Sequence, residues 1–183
     1  MGGLAADALT TGGSNIAVGV GALTSDTKGS KSTALGRSAL QDQNFTTATD
    51  THNVAVGFEA GKRITTGVQN TLIGGLAGDA LQDSDFNVAV GYNALTSDTF
   101  GSKSVAVGHA TLSVQNFTTA ADAFNTAVGH NAGVNVTTGT QNTLIGGLAG
   151  DVITTGFKNV AVGVGAGGAI QGGNNNTTIG TSS

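Results

Sequence analysis

Asn53-Val54-Ala55-Val56-Gly57 is the phrase on which the reading of this chain turns. Val54 and Val56 fall on one side of an extended segment and Asn53, Ala55 and Gly57 on the other, which is the period of two of a β-strand. Gly57 ends it, because a tight turn needs φ values that other residues reach only with strain. The same phrase (Asn or Ser, three mostly apolar residues, then Gly) opens at Asn15, Ser32, Asn53, Asn70, Asn87, Ser104, Asn125, Asn142, Asn159 and Asn176. Successive starts lie 17 residues apart, except for steps of 21 after Ser32 and Ser104.

The rhythm organises the chain as a single repeat array over 1–183. Residues 1–14 read as a partial coil, 15–86 and 87–158 as two copies of a 72-residue unit, and 159–183 as terminal coils. The long steps come from matching insertions around Asn44-Phe45-Thr46 and Asn116-Phe117-Thr118. Repetition at a short fixed period is the signature of a solenoid, and this one reads as a segment of a longer array.

A second regularity concerns the interior. Where the ninth residue of a coil is Leu, the twelfth is polar, as with Leu23 and Asp26 or Leu95 and Asp98. Where the ninth is Gly, the twelfth is apolar, as with Gly61 and Ile64 or Gly150 and Ile153. One large apolar side chain per layer is thus kept, the mark of a thin close-packed core. The expected fold is all-β: a parallel β-solenoid, or β-roll, of about ten coils, each with two short strands joined by glycine turns. The Val side supplies the apolar face of the strand. The Ala column (Ala17, Ala34, Ala55, Ala89, Ala106, Ala127 and Ala161) would permit close approach of another copy. A few modest apolar side chains per coil bury little against the entropy of ordering it, which predicts a homo-oligomer.

Composition excludes several functions. The chain has 31 glycines, no proline, cysteine or tryptophan, a net charge of −4 and 10% charged residues. Without cysteine there is no disulfide framework and no thiolate metal site. Seven Lys and Arg scattered through an acidic chain leave no nucleic-acid footprint. No run approaches the roughly 20 apolar residues of a membrane span, so no membrane insertion by this segment is expected.

The motif resembles known repeats. Asn-Val-Ala-Val-Gly-x-x-Ala is similar to the head repeats of trimeric autotransporter adhesins, and Thr-Thr-Gly-x-Gln-Asn-Thr-Leu-Ile-Gly, at 65–74 and 137–146, to repeats of phage tail fibres and related bacterial surface fibres. The resemblance implies a left-handed trimeric β-roll with a structural and adhesive role, located outside the cell, at a cell surface or on a virion. It implies no enzyme and no cofactor.

Candidate sites are few. The residue after the turn glycine varies freely: Val20, Arg37, Phe58, Gly75, Tyr92, His109, His130, Gly147, Val164 and Thr181. Variation inside a rigid repeat points to solvent, and such columns serve as binding surfaces. Phe58, Tyr92, His109 and His130 are therefore candidate contacts for a receptor or glycan. Tyr92, His109 and His130 would stack in successive coils, with a two-His metal site or simple exposure as the other readings. The insertions offer Asn44, Thr46, Asn116 and Thr118 as sugar-binding polar groups, with Phe45 and Phe117 as anchors packing each bulge on the rod. Thr-Thr-Gly pairs suggest ice binding only remotely, because other coils interrupt them. No nucleophile–base motif, calcium-binding nonapeptide or phosphate loop occurs. The expectation is a non-enzymatic segment without metal.

Overall fold

The computed structural model describes residues 2–183. Ten three-residue strands, Ile16–Val18, Thr33–Leu35, Val54–Val56, Thr71–Ile73, Val88–Val90, Val105–Val107, Thr126–Val128, Thr143–Ile145, Val160–Val162 and Thr177–Ile179, pair in parallel and in chain order into one sheet. Register follows the repeat even across a long step, since Ala34 pairs with Ala55 as Ala55 pairs with Leu72. Each rung is one coil, and the protein is an all-β, parallel β-solenoid of about ten turns.

The second half of the coil differs from expectation. Among the described residues a second strand forms only beside the insertions, where Gly29–Ser30 pairs with Thr49–Asp50 and Gly101–Ser102 with Ala121–Asp122. Elsewhere this half is a series of turns, bonded from coil to coil by contacts such as Leu40 N–H to Ala60 O (3.1 Å) and Gln82 N–H to Thr99 O (3.0 Å). In coils with and without a second strand the seventh and ninth residues sit in left-handed conformation, with φ 58° at Leu76 and 56° at Gly78, so the backbone cannot run extended where this half begins.

The orientation of the strands also corrects the sequence reading. Ala34, Ala55, Ala89, Ala106, Ala127 and Ala161 point into the solenoid and are fully buried, whereas Val18, Leu35, Ile73 and Ile145 point outward and are about two-fifths exposed. The parity of the strand explains this. Asn53 shares a face with Ala55, and the interior of a coil so narrow has room for a short side chain opposite a plug, not for a Val on every rung. The small column is the lining of the lumen, and the branched column is the outer face.

Interior asparagines fix both the closure and the register. Asn70 Nδ2 donates to Ser84 O near the end of its own coil (2.7 Å), and Asn70 Oδ1 accepts the backbone N–H of Asn87 on the next (2.9 Å). Asn53, Asn125, Asn142 and Asn159 repeat both bonds. These asparagines stack as a ladder, and every rung of it is buried except at the array's ends.

The plugs behave as the alternation requires. Leu23, Leu40, Ile64, Leu81, Leu95, Leu112, Val136 and Ile153 are all fully buried. The ninth position is left-handed in both classes of coil, with φ near 50–60° whether it is Leu23, Leu40, Leu95 and Leu112 or Gly61, Gly78, Gly133 and Gly150. For leucine that conformation costs about 1–2 kcal/mol, offset by the roughly 1.5–3 kcal/mol of burying its side chain. Glycine stands there for another reason. A Cβ on Gly61 would lie 2.7 Å, and one on Gly78 2.8 Å, from the δ-methyl groups of Leu72, which replaces alanine in the inner column. Leu72 thus occupies space that two coils leave open.

A double-mutant cycle tests this arrangement. Gly61→Ala alone should lower stability by about 2–3 kcal/mol in urea denaturation, from backbone strain plus the clash with Leu72. In a Leu72→Ala background the same change should cost only the strain, about 1 kcal/mol. Equal costs in both backgrounds would contradict the shared space.

Candidate functional site

The column after the turn glycine is set by the turn itself. At Gly57 the backbone takes φ 141°, and a Cβ there would lie 2.5 Å from the carbonyl oxygen of Gly74, so only glycine lets successive turns stack this closely. The following residue is directed outward. Phe58 is 47% and Tyr92 53% exposed, and His109 and His130 are exposed as well. The in-register rungs then place side chains one above another. The rings of Tyr92 and His109 stack with centroids 5.8 Å apart and planes inclined by 26°, and those of His109 and His130 at 5.2 Å and 11°. Phe58 stands two rungs before Tyr92, with Gly75 between them, and the Arg37 guanidinium lies 5.4 Å from its centroid. Asn93 and Asn131, one residue beyond Tyr92 and His130, adopt left-handed φ of 56° and 55°, which asparagine tolerates best among non-glycine residues. Their Oδ1 atoms are buried without a hydrogen-bond partner among the described residues.

The insertions are a separate feature of the surface. Asn44, Thr46, Asn116 and Thr118 are exposed, but they are divided between two loops four rungs, about 19 Å, apart. Thr27 Oγ1 donates to Asn44 Oδ1 (3.2 Å) and Thr99 Oγ1 to Asn116 Oδ1 (3.0 Å), so both asparagine oxygens are already engaged. Phe45 and Phe117 are buried at 7% and 9% exposure and pin the loops to the rod.

Beneath each loop lies a polar network with no warning in the apolar pattern. The twelfth residues Asp26, Gln43, Asp98 and Gln115 are fully buried. Asp98 accepts from Gly101 N–H (3.1 Å), Phe117 N–H (3.0 Å) and Gln115 Nε2 (2.6 Å). Gln115 Nε2 also donates to Ser104 Oγ, and its Oε1 accepts from Asn125 Nδ2 (2.8 Å). Asp26, Gln43, Ser32 and Asn53 repeat the set in the first copy. The long coils start with Ser rather than Asn, and the glutamine amide takes the place of the missing asparagine. One sequence signal could have revealed it: Asp at the twelfth position occurs only in the coil before an insertion and Gln only in the coil that carries one.

Lys31 pairs with Asp50 at 2.7 Å and Lys103 with Asp122 at 2.6 Å, both on the open surface beside the insertions. The Lys31 hydrogen bond holds the Asp50 carboxyl below its ordinary range. Burial raises that of Asp79 against the hydrogen bond donated by Thr96. Among the described residues no group of three His, Asp or Glu side chains converges to hold a metal ion. An open concavity of about 480 Å³ at the last coils is lined by Leu148, Val152, Ala169, two glycines and two serines, with Asp151 its one acidic side chain.

Asp98→Asn discriminates an obligatory acceptor from a merely tolerated one. The amide would present N–H₂ toward Gln115 Nε2, and Gln115 cannot turn over without losing Asn125. Stability should fall by about 1–3 kcal/mol in urea denaturation; an unchanged midpoint would show that the network is dispensable.

No family model, curated protein or solved structure matches the chain.

Proposed function

We propose that this chain is a structural and adhesive segment of an extracellular fibre, of the kind found in phage tail fibres and bacterial surface adhesins, and that it works as a homotrimer. The observation that carries the reading is the outer face of the ten-stranded sheet. Its two columns read Ile16, Thr33, Val54, Thr71, Val88, Val105, Thr126, Thr143, Val160, Thr177 and Val18, Leu35, Val56, Ile73, Val90, Val107, Val128, Ile145, Val162, Ile179. Neither column carries a charge over the whole length of the array.

Ten rungs at ~4.8 Å and a width of about 15 Å give a flat apolar strip on the order of 700 Å². A lone soluble protein seldom exposes so large a continuous patch, and a standard interface buries about 800 Å² per partner. The area therefore suits a second copy, and parallel copies would align rung with rung along the rod. The resemblance of the repeat to trimeric adhesin heads supports three copies over two. Such a bundle is stiff and presents every surface group at a fixed spacing, so weak contacts engage together.

Ice binding finds less support. Thr33, Thr71, Thr126, Thr143 and Thr177 share their column with Ile16 and four valines, so no continuous threonine array forms.

Sedimentation equilibrium tests the assembly. The expected mass is about three times the 17.8 kDa chain, and a Val90→Lys, Val107→Lys double variant should sediment as a folded monomer with the same far-ultraviolet circular dichroism per residue. A wild-type monomer at tens of micromolar would contradict the proposal.

A further inference from the structure

We infer that in the assembled protein the residue just before each rung's opening Asn or Ser packs against the residue just after the turn glycine of the same rung in the next copy, so that Phe86 meets Tyr92, His52 meets Phe58 and Phe124 meets His130 across the seams. The inference deepens the assembly half of the proposed function and rests on it. It makes a second copy of this chain the partner of the stacked Tyr92, His109 and His130 rings.

The two positions border the apolar strip on either side, and both face solvent. Phe86 is 45% and Phe124 48% exposed on the first border, Phe58 47% and Tyr92 53% on the second, and His52 and His130 are exposed as well. Within one chain the members of a pair cannot touch, because the extended strand between them holds them about 15–20 Å apart. The first border is also strained. Its φ is 61° at Phe86 and 52° at Phe124, and it is left-handed at the other rungs too. A bulky residue adopts that conformation only at a cost. Leu23 offsets the cost by burial in the lumen, whereas the two phenylalanines stand nearly half exposed in a single chain.

The two 72-residue units change their borders together. His52 and Phe58 of the first unit correspond to Phe124 and His130 of the second. The two side chains have exchanged borders, while the Asn, Ala, Val and Gly of the strand between them are kept. Phe86 and Tyr92 are both aromatic, and their equivalents one unit away, Ser14 with Val20 and Lys158 with Val164, are both non-aromatic. Gln69 and Gly75 return unchanged as Gln141 and Gly147. Contact between copies gives residues that are distant within a chain a reason to change in concert.

Rotational symmetry supplies that contact. An axis along the rod leaves every rung at its own height, and a closed ring of three copies joins the first border of one to the second border of the next. Three strips about 15–20 Å wide enclose a triangular prism whose centre lies about 4–6 Å from each sheet, close to half of the ~10 Å at which sheets pack face to face. The strips reach packing distance as the borders close. An antiparallel pair would instead join like borders and leave Tyr92 on the far side from Phe86.

The charged rungs are compatible with such a seam. One rung sets Lys31 opposite Arg37, and both cations are engaged on their own chain: Lys31 with Asp50 at 2.7 Å, and Arg37 over the Phe58 ring at 5.4 Å. Lys103, opposite His109, is held by Asp122 at 2.6 Å. Each lysine is thus neutralised before the copies meet.

Introduced cysteines test the seam directly, because the chain has none of its own. In a Phe86→Cys, Tyr92→Cys double variant a short bismaleimide should link copies into covalent dimers and trimers on a denaturing gel. Phe86→Cys alone, whose thiols stand a strip's width apart in the trimer, should give no link. Phe86→Cys with Val164→Cys, four rungs out of register, should give none either. If loss of the aromatic pair dissociates the variant, Gln141→Cys with Gly147→Cys serves as a second in-register pair. It keeps every ring, and a Cβ on Gly147 meets nothing nearer than the His130 carbonyl oxygen at 3.9 Å. A covalent trimer from either in-register pair, with no link from the controls, supports the seam. A wild-type trimer in which neither in-register pair links, or in which the out-of-register pair links equally, overturns the seam and leaves the trimer standing. A wild-type monomer overturns both.

Discussion

The structure depends on what an asparagine side chain does when it is buried in a narrow coil. A solenoid of three-residue strands has few backbone bonds per rung, and its turns leave carbonyl and amide groups facing inward. Those groups must be satisfied, because an unpaired buried polar group costs about 1–3 kcal/mol. Asn142 meets the requirement twice over. It donates to Gly156 O to close its own coil and accepts from Asn159 N–H to set the position of the next. With asparagine committed to the interior, strand parity commits the residue two places on to the interior as well, and only a small side chain or a compensated leucine fits there.

That commitment decides the outer surface. The branched residues flanking Ala55 have nowhere to go but outward, so the side of the sheet that would be the core of a sandwich is here an open strip. The same in-register stacking that holds the interior makes columns on the exterior, and a column is why Tyr92, His109 and His130 meet although 17 and 21 residues separate them in sequence. Interior order, the apolar face and the stacked rings are three consequences of one register.

Much of this was legible in the sequence and some of it was not. The coil count, the parallel stack, the plug alternation at Leu23 or Ile64 and the exposure of the turn column follow from spacing alone. The direction of the strand did not. Val54 and Ala55 alternate either way, and hydrophobicity favours the wrong face; the deciding fact is that Asn53 needs buried partners, which become visible only when Gly67 O is near. The buried Asp26 and Asp98 were hidden for a similar reason, since a carboxylate in an apolar pattern looks like a solvated turn until Gly29 and Gly101 are seen to donate to it.

Side-chain amide exchange measured by NMR tests the central claim most directly, and it does so whether or not copies associate. If Asn70 and Asn142 are buried and bonded as described, their Nδ2 protons should exchange with solvent as slowly as the amides of the central strands, while those of exposed Asn44 and Asn174 exchange freely. Rapid exchange at Asn70 and Asn142 would mean that the asparagines face water, and the assignment of inside and outside would fall with them.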